Sequence, residues 1–315
     1  MPDGAKPNRF IAQATNLDVM DMSDDPSSAS PRIAPALPPT LRLGAVRISV
    51  TDLDRAVSFY QDVIGLRLHR RDDDEAAMGA GEDDVVVLTE EPAARRPARE
   101  AGLYHYCLLF PTREELGRVA TRIAAARAPI QGASDHGTHE AIYLADLDGN
   151  GIELAADRPP ELWPDMRSQA GYAGGPKPLD TPGLLAAVAD EEPRRHAGAG
   201  LAIGHLHLHV GDIEQAIAFY RDLVGFELMV DLGAAAFLAV GGYHHHLGMN
   251  VWGGKDVAPA SPGSLGLREW SLILPSADAV ANVRARLETA GTATEEHPRG
   301  FLVRDPWAIP LAITA

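Results

Sequence analysis

The feature that most constrains this chain is that it repeats itself. The segment from Thr51 to Leu66, TDLDRAVSFYQDVIGL, aligns without gaps on the segment from Gly211 to Phe226, GDIEQAIAFYRDLVGF. The pairs Asp52/Asp212, Ala56/Ala216, Phe59/Phe219, Tyr60/Tyr220, Asp62/Asp222 and Gly65/Gly225 are identical. A repeated segment implies a repeated structural unit, so the repeat bears on the fold before any single motif does.

Each copy reads the same way locally. A β-branched alternating run (GAVRISV, GHLHLHV) precedes an Asp at a helix N-cap position; apolar residues then recur with helical spacing until a Gly stops the helix. Three short strand-like runs follow each copy, and the order then returns once more in each half, from GLYHYCLLFP and from GLREWSLILP. Four βαβββ modules result, at about 43–95, 102–157, 203–253 and 265–314, an α+β fold. Phe59, Tyr60, Phe219 and Tyr220 are read as contacts between helix and sheet. In domain terms the reading is a disordered leader (1–40), a first domain of two modules (41–158), a linker (159–200) and a second domain of two modules (201–315). The linker is rich in Pro, Gly and charge, and its length suits a segment that covers a surface.

Composition narrows the function classes. In 315 residues, 44 acidic against 28 basic side chains give a net charge of −16, which disfavours nucleic acid and anionic membrane surfaces as partners. No apolar run approaches the roughly 18 residues of a membrane span. The single Cys107, in an apolar run, reads as a small buried hydrophobe and points to a reducing, cytoplasmic setting. Nucleotide-binding, serine-hydrolase and structural-zinc spacings do not occur.

Four βαβββ modules with the signature D-x-x-x-A-x-x-F-Y-x-D-x-x-G resemble the vicinal oxygen chelate superfamily, which includes glyoxalase I, fosfomycin-resistance proteins and extradiol dioxygenases. GLYHYCLLFP, DLDGNGIEL followed by ADRP, GHLHLHV and GGYHHHLGMNVW together resemble the bacterial two-domain catechol 2,3-dioxygenase type in motif and order. The resemblance implies cupped mixed β-sheets. It also implies a divalent metal held by the first strand of one module and the first and last strands of another.

Comparing the copies locates such a site, because a degenerate copy loses its donors. His205 stands where module one has Ala45, His105 where module four has Glu269, and Glu153 where module four has Ala312. Donors survive in modules two and three, which are expected to share one cup, within the chain or between two chains. Two imidazoles and one carboxylate with open positions suit non-haem Fe(II), and Mn(II) suits the same ligands. Glu269 leaves open a degenerate second site.

Strand alternation puts His205, His207 and His209 on one face, and sets His245 opposite His244 and His246. The resemblance favours His245 as acid–base, with His246 one register away as the alternative. It assigns Tyr143 to the substrate and His136 to a second active-site histidine; His139 reads as solvated or behind the ligands, and His207 and His209 as behind the ligands or lining the cup. The implied reaction is extradiol cleavage of a small aromatic diol by O₂. Glyoxalase-like isomerase or lyase chemistry and non-catalytic binding of a small molecule are the alternatives. Oligomeric state stays open, homodimers being common in the family.

Overall fold

The computed structural model describes residues 37–172 and 175–315, so most of the expected leader lies outside the described residues. Its last part does not: Leu37 is buried, and its amide donates to the Gly225 carbonyl.

Each module follows the expected order. Module one contributes β1 (Arg42–Leu43), β2 (Val46–Val50), α1 (Leu53–Phe59), β3 (Arg67–Arg71), β4 (Glu75–Gly79) and β5 (Asp84–Glu90). Module two contributes β6 (Gly102–Phe110), α2 (Arg113–Ala126), β7 (Ile130–Asp135), β8 (His139–Ala145) and β9 (Gly151–Asp157). The linker holds α3 (Gln169–Tyr172), β10 (Lys177–Pro178) and α4 (Thr181–Ala186). Module three contributes β11 (Ala202–His209), α5 (Ile213–Ile217), β12 (Glu227–Asp231), β13 (Ala235–Ala239) and β14 (Leu247–Asn250); module four contributes β15 (Leu267–Ile273), α6 (Ala277–Thr289), β16 (Thr294–His297), β17 (Gly300–Arg304) and β18 (Pro310–Thr314).

The repeated signature explains itself in the helices. Asp52 and Asp212 cap α1 and α5 by accepting from the amides of Arg55 and Gln215, contacts worth about 1 kcal/mol each. Both helices then widen into a π turn, Tyr60–Ile64 and Ala218–Val224, and close on Gly65 and Gly225 at positive φ, which only glycine adopts at little cost. The tyrosines lock consecutive modules together. Tyr60 donates to Asp146 and lies 2.8 Å from the Tyr106 hydroxyl, while Tyr220 donates to Asp305 at 3.0 Å.

The strands pair differently from the helices. One nine-stranded sheet runs β10-β7-β8-β9-β6-β11-β14-β13-β12, joining module two to module three through antiparallel β6 and β11. The other runs β16-β17-β18-β15-β2-β5-β4-β3, with β1 also on β15, and joins module one to module four. Each sheet therefore takes one module from each half of the sequence, and modules two and three meet within one chain.

The first sheet curls. Neighbouring strands lie about 4.8 Å apart, so β8 and β11, three steps apart, would be roughly 14 Å apart in a flat sheet. Yet the His139 and His205 rings, one on each, have centroids 5.8 Å apart. Their shared face is concave, and the small side chains of Cys107, Ala141 and Ala155 pack together within it. The linker lies against this sheet: β10 extends it beside β7, Arg167 pairs with Glu227, and Tyr172 stacks on Phe237 at 5.5 Å. No helix among the described residues is long and apolar enough to cross a membrane.

Candidate metal centre

Three strands of the curled sheet bring His105, Glu153 and His205 together. β9 runs parallel to β6 with Glu153 beside Cys107, and β11 runs antiparallel to β6 with His207 beside His105. The Nε2 atoms of His105 and His205 each lie 3.0 Å from the same oxygen of Glu153, Oε2. One ligand atom from each residue falls within 4.8 Å of the others, a group that can hold a metal ion.

The donor chemistry fits a divalent metal. Glu153 is 1% exposed, and a carboxylate so buried needs compensating charge or hydrogen bonds. Burial would raise its carboxyl, but His205, His105 and His139 outweigh that and hold it well below the usual range. His205 accepts this arrangement as a neutral imidazole, since burial lowers its affinity for a proton. The Nε2 of His105 faces Oε2 without the alignment of a hydrogen bond and is an orphaned buried nitrogen. An imidazole nitrogen without a hydrogen-bond partner, beside a buried carboxylate, is the environment a cation completes.

His139 is not solvated. It is buried, its Nε2 lies 2.9 Å from Glu153 Oε1, and its Nδ1 lies 2.8 Å from the Thr138 hydroxyl. Its ring is stacked between His136 at 4.5 Å and His244 at 4.9 Å. His139, Asp157 and His244 also form a three-donor group. The His139 and His244 planes differ by only 15°, so their in-plane lone pairs run side by side, which suits a hydrogen-bond network better than a second ion.

The histidine triplet departs from the strand reading. His244, His245 and His246 precede β14 in an irregular segment, so alternation does not govern them. His244 and His245 both face the concave side: their Nδ1 atoms are 2.9 Å apart, and the His245 ring lies 4.2 Å from that of His205. His246 turns away, its Nδ1 accepting from the Val240 amide. His136 and Tyr143 meet, Nε2 to hydroxyl, at 2.7 Å, and the Tyr143 ring is 5.7 Å from that of His105. Burial pushes His136 down to about 3 and Tyr143 well up, so both are neutral near pH 7.

His207 and His209 look toward the same side. Tyr104 touches both rings, at 5.2 and 4.9 Å, and with Trp252 forms an aromatic rim. Cys107 is buried at the base of the site, and burial pushes its thiol well up. In the other sheet, Glu269 approaches His297 at 3.7 Å, and no group of three donors forms around it among the described residues. Arg47 and Arg268 there pair with Glu75 and Glu91 instead.

The family profile described as Glyoxalase/Bleomycin resistance protein/Dioxygenase superfamily matches residues 42–154 and 202–307. This chain belongs to that superfamily. It is 37% identical over 269 residues to a protein named catechol-2,3-dioxygenase from Bacillus subtilis (strain 168), covering 84% of this chain and 93% of that one. Among solved structures it shares the fold of glyoxalase I from Zea mays, with a TM-score of 0.56 at 18% identity over 87% of this chain and 92% of that one. The cppA protein of Streptococcus pneumoniae TIGR4 shares it at TM-score 0.53 and 13% identity, over 87% and 98% of the two chains.

Asp157 and Trp163 are among the site residues that the sequence does not single out. Asp157 lies two alternations beyond Glu153 on β9, a position that period two alone identifies as facing the same side. Trp163 comes from the linker and sets its ring nearly perpendicular to that of His244, with centroids 5.0 Å apart; no periodicity marks it.

Proposed function

We propose that this protein is an Fe(II)-dependent extradiol dioxygenase that cleaves catechol or a substituted catechol with O₂ to a ring-opened semialdehyde. The observation that carries the reading is the convergence of His105 Nε2 and His205 Nε2 on one buried oxygen of Glu153, beside the imidazole of His245. The similarity to a protein named catechol-2,3-dioxygenase supports it. His105, Glu153 and His205 would hold Fe(II), or Mn(II), which suits the same donors. Bound there, the metal supplies Lewis acidity toward the diol oxygens and redox chemistry for O₂.

The chain's own residues do the rest. Tyr104 and Trp252 give an aromatic ring a surface to pack on at the rim. His245, neutral because burial holds its pKa well down, takes the proton of a substrate hydroxyl and returns it when the ring opens. Tyr143, un-ionised and tied to His136, donates to a substrate oxygen. The buried setting of these groups keeps bulk water from competing for the same hydrogen bonds.

Anaerobic loading with Fe(II), followed by catechol and then air, tests the reading. The expected result is a yellow semialdehyde with one O₂ consumed per catechol. Absence of turnover across a panel of catechols, with iron bound, overturns it.

A further inference from the structure

A chain of three side chains runs from the end of β9 to His245. Asp157 Oδ1 lies 3.0 Å from His244 Nε2, and His244 Nδ1 lies 2.9 Å from His245 Nδ1. Each link constrains the next. A carboxylate only accepts, so His244 Nε2 must carry its hydrogen. Burial pushes His244 down to about 4, which makes it neutral near pH 7 and leaves its Nδ1 bare. Two facing nitrogens 2.9 Å apart need one hydrogen between them, so His245 Nδ1 supplies it. A neutral His245 protonated on Nδ1 has its lone pair on Nε2.

We infer that Asp157 and His244 are positioning residues that fix His245 in the Nδ1–H tautomer, making Nε2 the base of the site. The inference deepens the dioxygenase reading and rests on it for its catalytic meaning. A proton abstracted from a substrate hydroxyl then goes to Nε2, the resulting imidazolium donates through Nδ1 to His244, and the Asp157 carboxylate balances its charge one residue further out. With the opposite tautomer, Nε2 would carry a hydrogen and could not accept one.

The surroundings hold the chain in place. Tyr243 donates to the other Asp157 oxygen at 2.9 Å. Burial would raise the Asp157 carboxyl, but His244 and Tyr243 outweigh it and keep it below the usual range, hence ionised. The His244 ring, 1% exposed, is stacked on His139 and packed at near right angles to Trp163. Such rigidity serves orientation, as does an acid that orients a catalytic histidine without touching substrate.

Long-range ¹H–¹⁵N spectra of the full chain, free of metal, read the tautomer directly. In the unaltered protein His245 should show a protonated, pyrrole-type Nδ1 and a bare, pyridine-type Nε2. A protonated Nε2 there overturns the inference without need of any variant. Asp157→Asn should populate the other tautomer, because an amide can donate to His244 Nε2. Tyr243→Phe, which spares the chain, should not. With Fe(II) loaded, Asp157→Asn and His244→Phe should keep metal and KM and lose roughly 10²-fold or more in kcat. Unchanged tautomer and unchanged kcat in both variants would refute the positioning role. If the unaltered protein turns over no catechol, the dioxygenase reading fails, while the tautomer result still stands or falls on the spectra.

Discussion

His139 holds the oxygen of Glu153 that the paired histidines leave free: its Nε2 lies 2.9 Å from Oε1, while His105 and His205 approach Oε2. The carboxylate is thereby oriented, with one oxygen toward the site and one anchored behind it. Removing such an anchor typically weakens metal binding 10–100-fold without abolishing it. His139→Phe keeps the ring stacked between His136 and His244 and removes both nitrogens. Chelator competition should show a metal affinity lower by that factor. A loss as complete as that of Glu153→Ala would make His139 a ligand.

The triad itself predicts a harsher outcome. His105→Ala, Glu153→Ala and His205→Ala should each leave less than about a tenth of the bound metal, with the far-ultraviolet spectrum of the fold retained. His105 and Glu153 come from module two and His205 from module three, on strands paired within one chain. Full metal retention in His105→Ala and Glu153→Ala would mean that the two modules do not share the site.

The burial of Asp305 beneath Tyr220 predicts a pH dependence of stability. Burial raises the Asp305 carboxyl to about 6, despite hydrogen bonds from Ile309, Trp307 and Tyr220. The unfolded value is about 3.9, so the folded state binds the proton more tightly. Its stabilisation is complete below about pH 4 and is lost as pH rises through 6, a difference of roughly 2–3 kcal/mol. Asp305→Asn keeps an acceptor for the two amides and an N–H for the Tyr220 oxygen, but does not titrate. Between pH 4 and 7 its unfolding free energy should therefore gain on the unaltered protein by about that amount. Parallel curves would show that Asp305 is ordinary.

The fold was legible because period and punctuation are local properties: Asp52 and Asp212 cap, Gly65 and Gly225 stop, and His and Leu alternate from His205 to His209 along β11. The three candidate ligands were legible because Ala45, Glu269 and Ala312 provided an internal comparison. Modules two and three are expected to share one cup, but whether within one chain or between two was open, since a strand sequence does not name its neighbour. Alternation does not hold at His244–His246 because no ladder exists there to impose it. The packing of the linker was invisible for a related reason: Trp163 and Tyr172 act singly, from a segment without period.

Gly151 sets where Glu153 stands. A Cβ at this position would lie 2.1 Å from the Tyr104 carbonyl oxygen and 3.2 Å from the His105 Cβ. The nearest conflict is with backbone, so no side-chain rotation relieves it, and β9 must move away from β6. Glu153 is two residues along that strand and His105 is next to Tyr104, so the shift separates two of the candidate ligands. Gly151→Ala should therefore cost roughly 1–3 kcal/mol of stability, as overpacking does, and weaken metal binding as well. Thermal melts with and without metal separate the two effects: the variant should melt lower and gain less from added Fe(II) than the unaltered protein does. An equal gain would show that the close approach of β9 to β6 at Gly151 does not govern the spacing of the donors.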